Sequence, residues 1–117
     1  MKEKLKDKKI KSNREIQFLF EKGKRLRGPN FDFLFFKNNL SHGRAGVVVG
    51  KKCGGAVDRN TIKRIFREIL YNQQIDFNFP FDFIVVPKSE SKKKLFILLK
   101  QEVIFSIHKM LKQLPVQ

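Results

Sequence analysis

Arg59, Asn60, Lys63, Arg64 and Arg67 are the side chains of this sequence whose types and spacing suit joint chemistry. On a helix running from Ala56 to about Gln73 they fall within an arc of roughly 140°, at 3.6 residues per turn. Ile62, Ile65, Phe66 and Ile69 gather on the opposite side, within roughly 100°. Arginine grips phosphate oxygens with a forked, bidentate set of donors, and lysine acts on them as a point charge. Asn60 adds a donor and an acceptor, suited to a base edge, a sugar or a hydrated metal ion. Lys51 and Lys52, just upstream, extend the set. Like charges at i,i+4 cost about 0.2–0.5 kcal/mol per pair, and Glu68 is the single acid within the helix body. The chemistry implied is the holding of a polyanion. An isolated basic face is as readily a solvated one, so the rest of the chain has to decide.

The chain decides through its charge. Its 117 residues carry 26 Lys and Arg against 11 Asp and Glu, a net charge of +15. The cations concentrate in three blocks: the N-terminus through Arg27, Arg44 to Arg67, and Lys88 to Lys112. A single-sign field of this size does nothing for folding and points to a nucleic acid or an anionic membrane. No apolar run reaches the roughly 20 residues of a membrane span, and Met1–Lys9 lacks the apolar segment of a signal peptide. One cysteine, Cys53, suits a reducing compartment, so a cytoplasmic location is expected. Cys53, His42 and His108 have no second ligand at zinc-site spacing. The acids Asp32, Asp58, Asp76 and Asp82 are scattered, whereas a two-metal nuclease needs carboxylates together. Ser41-His42 lacks a nucleophile-elbow context, and Gly50–Gly55 lacks phosphate-loop spacing. No catalytic side chain is expected in the protein itself.

These residues require elements to position them. A lysine-rich arm over residues 1–11 is expected to be mobile. Ser12 or Asn13 caps a first helix that runs to about Lys22 and stops at Gly23. Lys24–Arg27 suits a short edge strand. In Phe31–Phe36 the alternation sends Phe31, Phe33 and Phe35 to one face and Asp32, Leu34 and Phe36 to the other. Arg44–Gly50 and Phe81–Val86 are further strands, and Ser89 or Ser91 opens a final helix to about Leu114. The order implies one domain over 1–117: an α+β sandwich, with a mixed sheet of about four strands and three helices. Ile16 and Phe20 on the first helix, with Leu34 and Phe36 on the strand, form a second candidate surface. If they flank an open groove, unpaired bases can stack there at about 1–3 kcal/mol each; otherwise they belong to the core, where a small domain needs its aromatics.

The passage Arg44-Ala45-Gly46-Val47-Val48-Val49-Gly50-Lys51-Lys52-Cys53-Gly54-Gly55-Ala56-Val57-Asp58-Arg59-Asn60-Thr61-Ile62-Lys63-Arg64 resembles the bacterial ribonuclease P protein component. That family carries an R-x-G-(L/V)-x-V strand, then K-K, a glycine-containing connection, A-V, and R-N-R-(I/L)-K-R opening a helix. Ile10–Gly23 resembles its L-(K/R)-x-x-x-(D/E)-F-x-x-(V/L)-F-x-x-G segment, and Phe81–Pro87 its D-(Y/F)-(V/I)-(V/I)-(V/I)-A-(R/K) strand. Two positions depart from the pattern: Thr61 replaces the second arginine of R-N-R, and Ile16 stands where phenylalanine is usual.

The resemblance implies the family's α–β sandwich with a left-handed βαβ crossover. It implies that Lys51, Lys52, Arg59, Asn60, Lys63, Arg64 and Arg67 face a catalytic RNA subunit. The cleft of Ile16, Phe20, Leu34 and Phe36 would hold the single-stranded 5′ leader of precursor tRNA. Cleavage would lie with the RNA and Mg²⁺ bound mainly by it, with no membrane and no protein partner required. The alternative is a generic basic RNA-binding protein of the ribosomal type. An RNA-free nuclease using Asp58 or Asp82, and a binder of anionic membranes, are the remaining rivals.

Overall fold

The computed structural model describes residues 5–10 and 12–114. Its centre is a four-stranded sheet of β1 (Lys24–Arg27), β2 (Phe31–Lys37), β3 (Arg44–Val47) and β4 (Phe81–Pro87), in spatial order β1-β2-β4-β3. β1 and β4 each run antiparallel to β2, while β3 is parallel to β4, so the sheet is mixed. The parallel pair is joined through α2 (Ala56–Asn72), as parallel neighbours need a crossover. α1 (Asn13–Lys22) precedes the sheet, and α3 (Phe96–Leu111) follows it.

Alternation along β2 divides the interior into two layers. Phe31, Phe33 and Phe35 join Ile62, Phe66 and Ile69 of α2 and Leu99, Val103, Ile107 and Met110 of α3 in the larger core. Phe33 and Phe83 stack there with ring centroids 4.7 Å apart. Leu34 and Ile84 point to the other face, where Leu19 of α1 and Ile10 cover them. The sheet is therefore packed on both sides, by two helices and by one.

Arg44 pins α1 over this second face. Its Nε donates to Asp82 Oδ1 at 3.0 Å and its Nη2 to Asp82 Oδ2 at 2.6 Å. Nη2 also donates to Glu15 of α1. One guanidinium thus links α1, β3 and β4. Ser12 caps α1, its Oγ accepting from the Arg14 and Glu15 amides at 3.1 and 3.3 Å, an arrangement worth about 1 kcal/mol. Gly23 ends the helix through close approach, since a Cβ there would lie 2.5 Å from the Leu19 carbonyl oxygen.

Three expectations need correction. Leu5–Ile10 is not a loose arm: Leu5–Lys8 forms a 3-10 turn, Lys9 bridges to Ala45, and the Ile10 amide donates to the Ala45 carbonyl at 2.9 Å. The Lys8 and Lys9 ammoniums lie 5.5 and 5.1 Å from the ring centroids of Phe77 and Tyr71. The remainder of the expected arm, 1–4 and 11, lies outside the described residues. β3 stops at Val47 rather than Gly50. The last helix starts at Phe96, because Ser91 is buried and its Oγ donates to the Lys88 carbonyl at 2.7 Å within a 3-10 segment, Ser89–Lys93, instead of accepting as a cap.

Candidate nucleic-acid interface

α2 buries Ile62, Phe66, Ile69 and Leu70 against the sheet and α3. Leu70 lies at roughly 20° on the same helical projection that spreads the basic arc over 0–140°. The covered side therefore reaches into that arc: Arg59 and Lys63, nearest Leu70, are half-buried, while Asn60, Arg64 and Arg67 stand exposed. The basic ridge exists, but its free part is narrower than the helical period alone indicates.

Lys51 and Lys52 extend the ridge from a one-turn 3-10 helix, Lys51–Cys53, where both are exposed. Cys53 anchors that turn. It is buried, and its Sγ donates to the Pro87 carbonyl at 3.3 Å. Burial pushes the thiol pKa up, which keeps the sulfur protonated and structural. Gly54, at φ 114°, makes the turn into α2 in a conformation that side chains rarely adopt.

The ridge is not neutralised from within. Among the described residues, no ion pair draws on Lys51, Lys52, Arg59, Lys63, Arg64 or Arg67. Glu68 accepts from the side-chain amides of Asn72 and Gln73 at 2.7 and 3.3 Å. Asp58 pairs with Lys92 at 3.2 Å. Thr61 donates its hydroxyl to the Val57 carbonyl at 3.0 Å, so it offers no ready substitute for an arginine. Tyr71, at the far end of α2, donates to the Ala45 carbonyl at 2.6 Å, and burial pushes its phenol pKa up to about 12.

The apolar set divides. Leu34, at 1% exposure, is core under Leu19 and cannot present a face to a ligand. Phe36 is 41% exposed and meets Phe18 edge-on, with centroids 4.9 Å apart, rather than Phe20. Two residues along a helix means roughly 160° around it, so Phe18 and Phe20 take opposite flanks of α1. On the Phe18 flank a cavity of about 350 Å³ is lined by Arg14, Phe18, Phe36 and Lys37. On the other, Ile16 is half-buried against the smaller core, and Phe20 is 41% exposed.

Half-buried Val48 and Val86 pack, together with Ile16, against that same core. Neither was marked by sequence reasoning, because a valine in a β-branched run looks like any strand residue. Val48 stands three positions before Lys51, at most about 10 Å of extended chain. The apolar flank thus leads into the cations. At its other end Asp32 is held by Arg25 at 2.8 Å and Lys88 at 3.5 Å.

This arrangement can hold a polyanion on the ridge and unpaired bases on the flank. Comparisons with known proteins show the family. Residues 5–112 match the family model described as Ribonuclease P. The ribonuclease P protein component of Petrotoga mobilis is 36% identical over 88 residues, covering 75% of each chain. A solved ribonuclease P protein from Staphylococcus aureus superposes with a TM-score of 0.69 at 30% identity, over 87% of this chain and 95% of that one. The ribonuclease P protein of Thermotoga maritima gives 0.71 at 28% identity, over 92% and 98%.

Proposed function

Because the chain belongs to the ribonuclease P protein family, we propose that its ridge docks on the catalytic RNA while the Ile16–Phe20 flank receives the single-stranded 5′ leader of precursor tRNA. The observation that carries this reading is the run from an open apolar flank at Val48 into cations with no acid of their own at Lys51, Lys52, Arg64 and Arg67. Phosphates of the folded RNA meet Arg64, Arg67 and the paired lysines, where Arg supplies forked donors and Lys a mobile charge. Leader bases stack on Phe20 with Ile16, Val48 and Val86 beneath them, a mode that tolerates varied sequence.

Hydrolysis is assigned to the RNA. Among the described residues, no three His, Cys, Asp or Glu side chains group so as to hold a metal ion. Mg²⁺ is assigned mainly to the RNA partner, whose phosphate oxygens are the hard ligands this cation takes. The protein's part is to add affinity for leader-bearing substrate, so that mature tRNA leaves in preference. No helix among the described residues is long and apolar enough to cross a membrane.

The test is cleavage of precursor tRNA by the catalytic RNA at low Mg²⁺, with and without the protein. Stimulation by the protein is the expected result. RNA binding without stimulation would leave a general RNA-binding protein as the better reading, and cleavage by protein alone would restore the nuclease.

A further inference from the structure

α3 opens in a way that the ridge and the leader flank do not account for. Leu95, Phe96, Ile97 and Leu98 are exposed by 68%, 37%, 52% and 46%, and only at Leu99, 0% exposed, does the chain enter the core. Single exposed apolar residues are ordinary. Four in a row, at roughly 100° steps, put apolar surface on nearly every side of one turn. Phe105, 60% exposed, stands seven positions after Leu98 and so on the same side of α3, about 10 Å further along it. A basic collar surrounds this tip. Lys92, Lys93 and Lys94 immediately precede it and are exposed, and Lys92 reaches Asp58 at 3.2 Å. At the far end Lys109 holds its Nζ 4.6 Å from the Phe105 ring centroid. From Lys88 to Lys112 the chain carries seven lysines against two acids. One of those acids, Glu102, takes the Asn30 Nδ2 on both of its oxygens at 2.9 Å.

We propose that this tip seats α3 on the surface of an anionic lipid bilayer. Leu95, Phe96, Ile97 and Leu98 enter the boundary between headgroups and acyl chains, and the collar lysines meet lipid phosphates. The occupant follows from shape and charge. A protein groove covers one stripe of a helix, about 100° wide, and would leave most of this turn wet. A fluid interface surrounds a projecting turn on all sides. A second copy of the chain, at +15, would set collar against collar. Nucleic acid suits the lysines but not the tip, because bases stack on aromatic faces and three of these four side chains are aliphatic. An anionic bilayer suits both: apolar side chains partition into the boundary layer, and each lysine within a Debye length of the surface adds attraction. α3 also begins without a side-chain cap, so its first amides are left to donate to phosphate. α2, the other basic helix, is no such site, because its apolar side is closed into the core. The seating is peripheral, since no helix among the described residues is long and apolar enough to cross the bilayer.

The chain has no tryptophan, so a single one introduced by substitution reports its own surroundings. Leu98→Trp, in the full chain, is titrated with vesicles of phosphatidylcholine alone and of phosphatidylcholine mixed with phosphatidylglycerol, each with and without bromine on the acyl chains. On the mixed vesicles its emission should move to the blue and be quenched by the bromine, and phosphatidylcholine alone should change it little. Leu40→Trp, at an exposed position in the β2–β3 loop, should stay unquenched. Leu95→Ser with Ile97→Ser alters side chains that already stand largely in water, so the fold should hold while vesicle affinity drops about tenfold. Binding of Leu98→Trp without quenching would mean that the +15 charge alone adheres to the lipid, and would overturn the proposal. So would equal quenching of Leu98→Trp and Leu40→Trp, or full vesicle affinity in the doubly substituted chain. A blue shift with single-stranded RNA, or with rising protein concentration, and none with vesicles would assign the tip to RNA or to a second copy instead.

Discussion

Arg44 is the residue on which the position of α1, and so the shape of both its flanks, depends. Its pKa is raised above the usual arginine value, first by the hydrogen bond to Asp82, so the cation persists at any working pH. The three side chains are only partly exposed, at 22% for Arg44, 15% for Asp82 and 37% for Glu15. Breaking a fully buried pair costs about 3–5 kcal/mol, and partial exposure lowers that. Arg44→Ala should therefore lose about 2 kcal/mol in urea unfolding, with Arg44→Lys recovering only part because an ammonium lacks the planar fork that gives Asp82 two hydrogen bonds. An unchanged midpoint for Arg44→Ala would show that α1 is held by its apolar contacts, Leu19 and Ile16, without the ion pairs. Tyr71 gives a second, pH-dependent prediction. Its folded pKa near 12 lies above the unfolded value of about 10. Folding thus favours the protonated phenol: the contribution is complete below about pH 10 and is lost as pH rises through 12, on the order of 2 kcal/mol. The stability advantage of the wild type over Tyr71→Phe should shrink across that window, and a constant difference would contradict the assignment. Neither role was legible beforehand. Arg44 reads as one more basic residue until Asp82, 38 positions away, is brought beside it by the parallel pairing of β3 with β4.

At the scale of elements, periodicity located the helices and strands well and their neighbours poorly. The alternation in β2 correctly put Leu34 and Phe36 on one face, but a strand's pattern does not say which part of that face a helix covers. α1 lies over Leu34 and leaves Phe36 at its rim. The two positions should consequently respond in different assays. Leu34→Ala should destabilise the fold by about 2–4 kcal/mol, as a leucine removed from a closed core does. Phe20→Ala should leave the unfolding midpoint nearly in place and weaken precursor tRNA by about 1–3 kcal/mol, with affinity for mature tRNA almost unchanged. An equal loss for both tRNAs would place Phe20 outside the leader contact. The α2 ridge follows the same logic. The 3.6-residue period collected the cations on one side, yet only the packing of Leu70 shows that Arg59 and Lys63 are half-covered. Ser91 was misleading for a local reason: its hydroxyl is committed to the Lys88 carbonyl, so α3 begins uncapped at Phe96.

Across the whole molecule, the +15 charge was plain from composition, and it implied a polyanion without indicating where one binds. Strand order and the division into two cores are long-range properties that no window of sequence contains, whereas the motif from Arg44 to Arg64 carried the family. Whether net charge or its arrangement does the binding can be separated by salt. Each phosphate contact released should lower the slope of log affinity against log salt concentration by about 1. Arg64→Ala with Arg67→Ala should reduce the slope for the catalytic RNA by about 2 and weaken binding at every salt concentration. Lys22→Ala with Lys24→Ala removes the same two charges from exposed positions at the β1 edge of the sheet, with β2 and β4 between them and β3. It should leave the slope nearly unaltered, because a cation more than a Debye length (about 8 Å at physiological salt) from the nearest phosphate is screened. Equal reductions by the two pairs would mean that the RNA senses the total charge of the protein, and that the ridge on α2 is not where it docks.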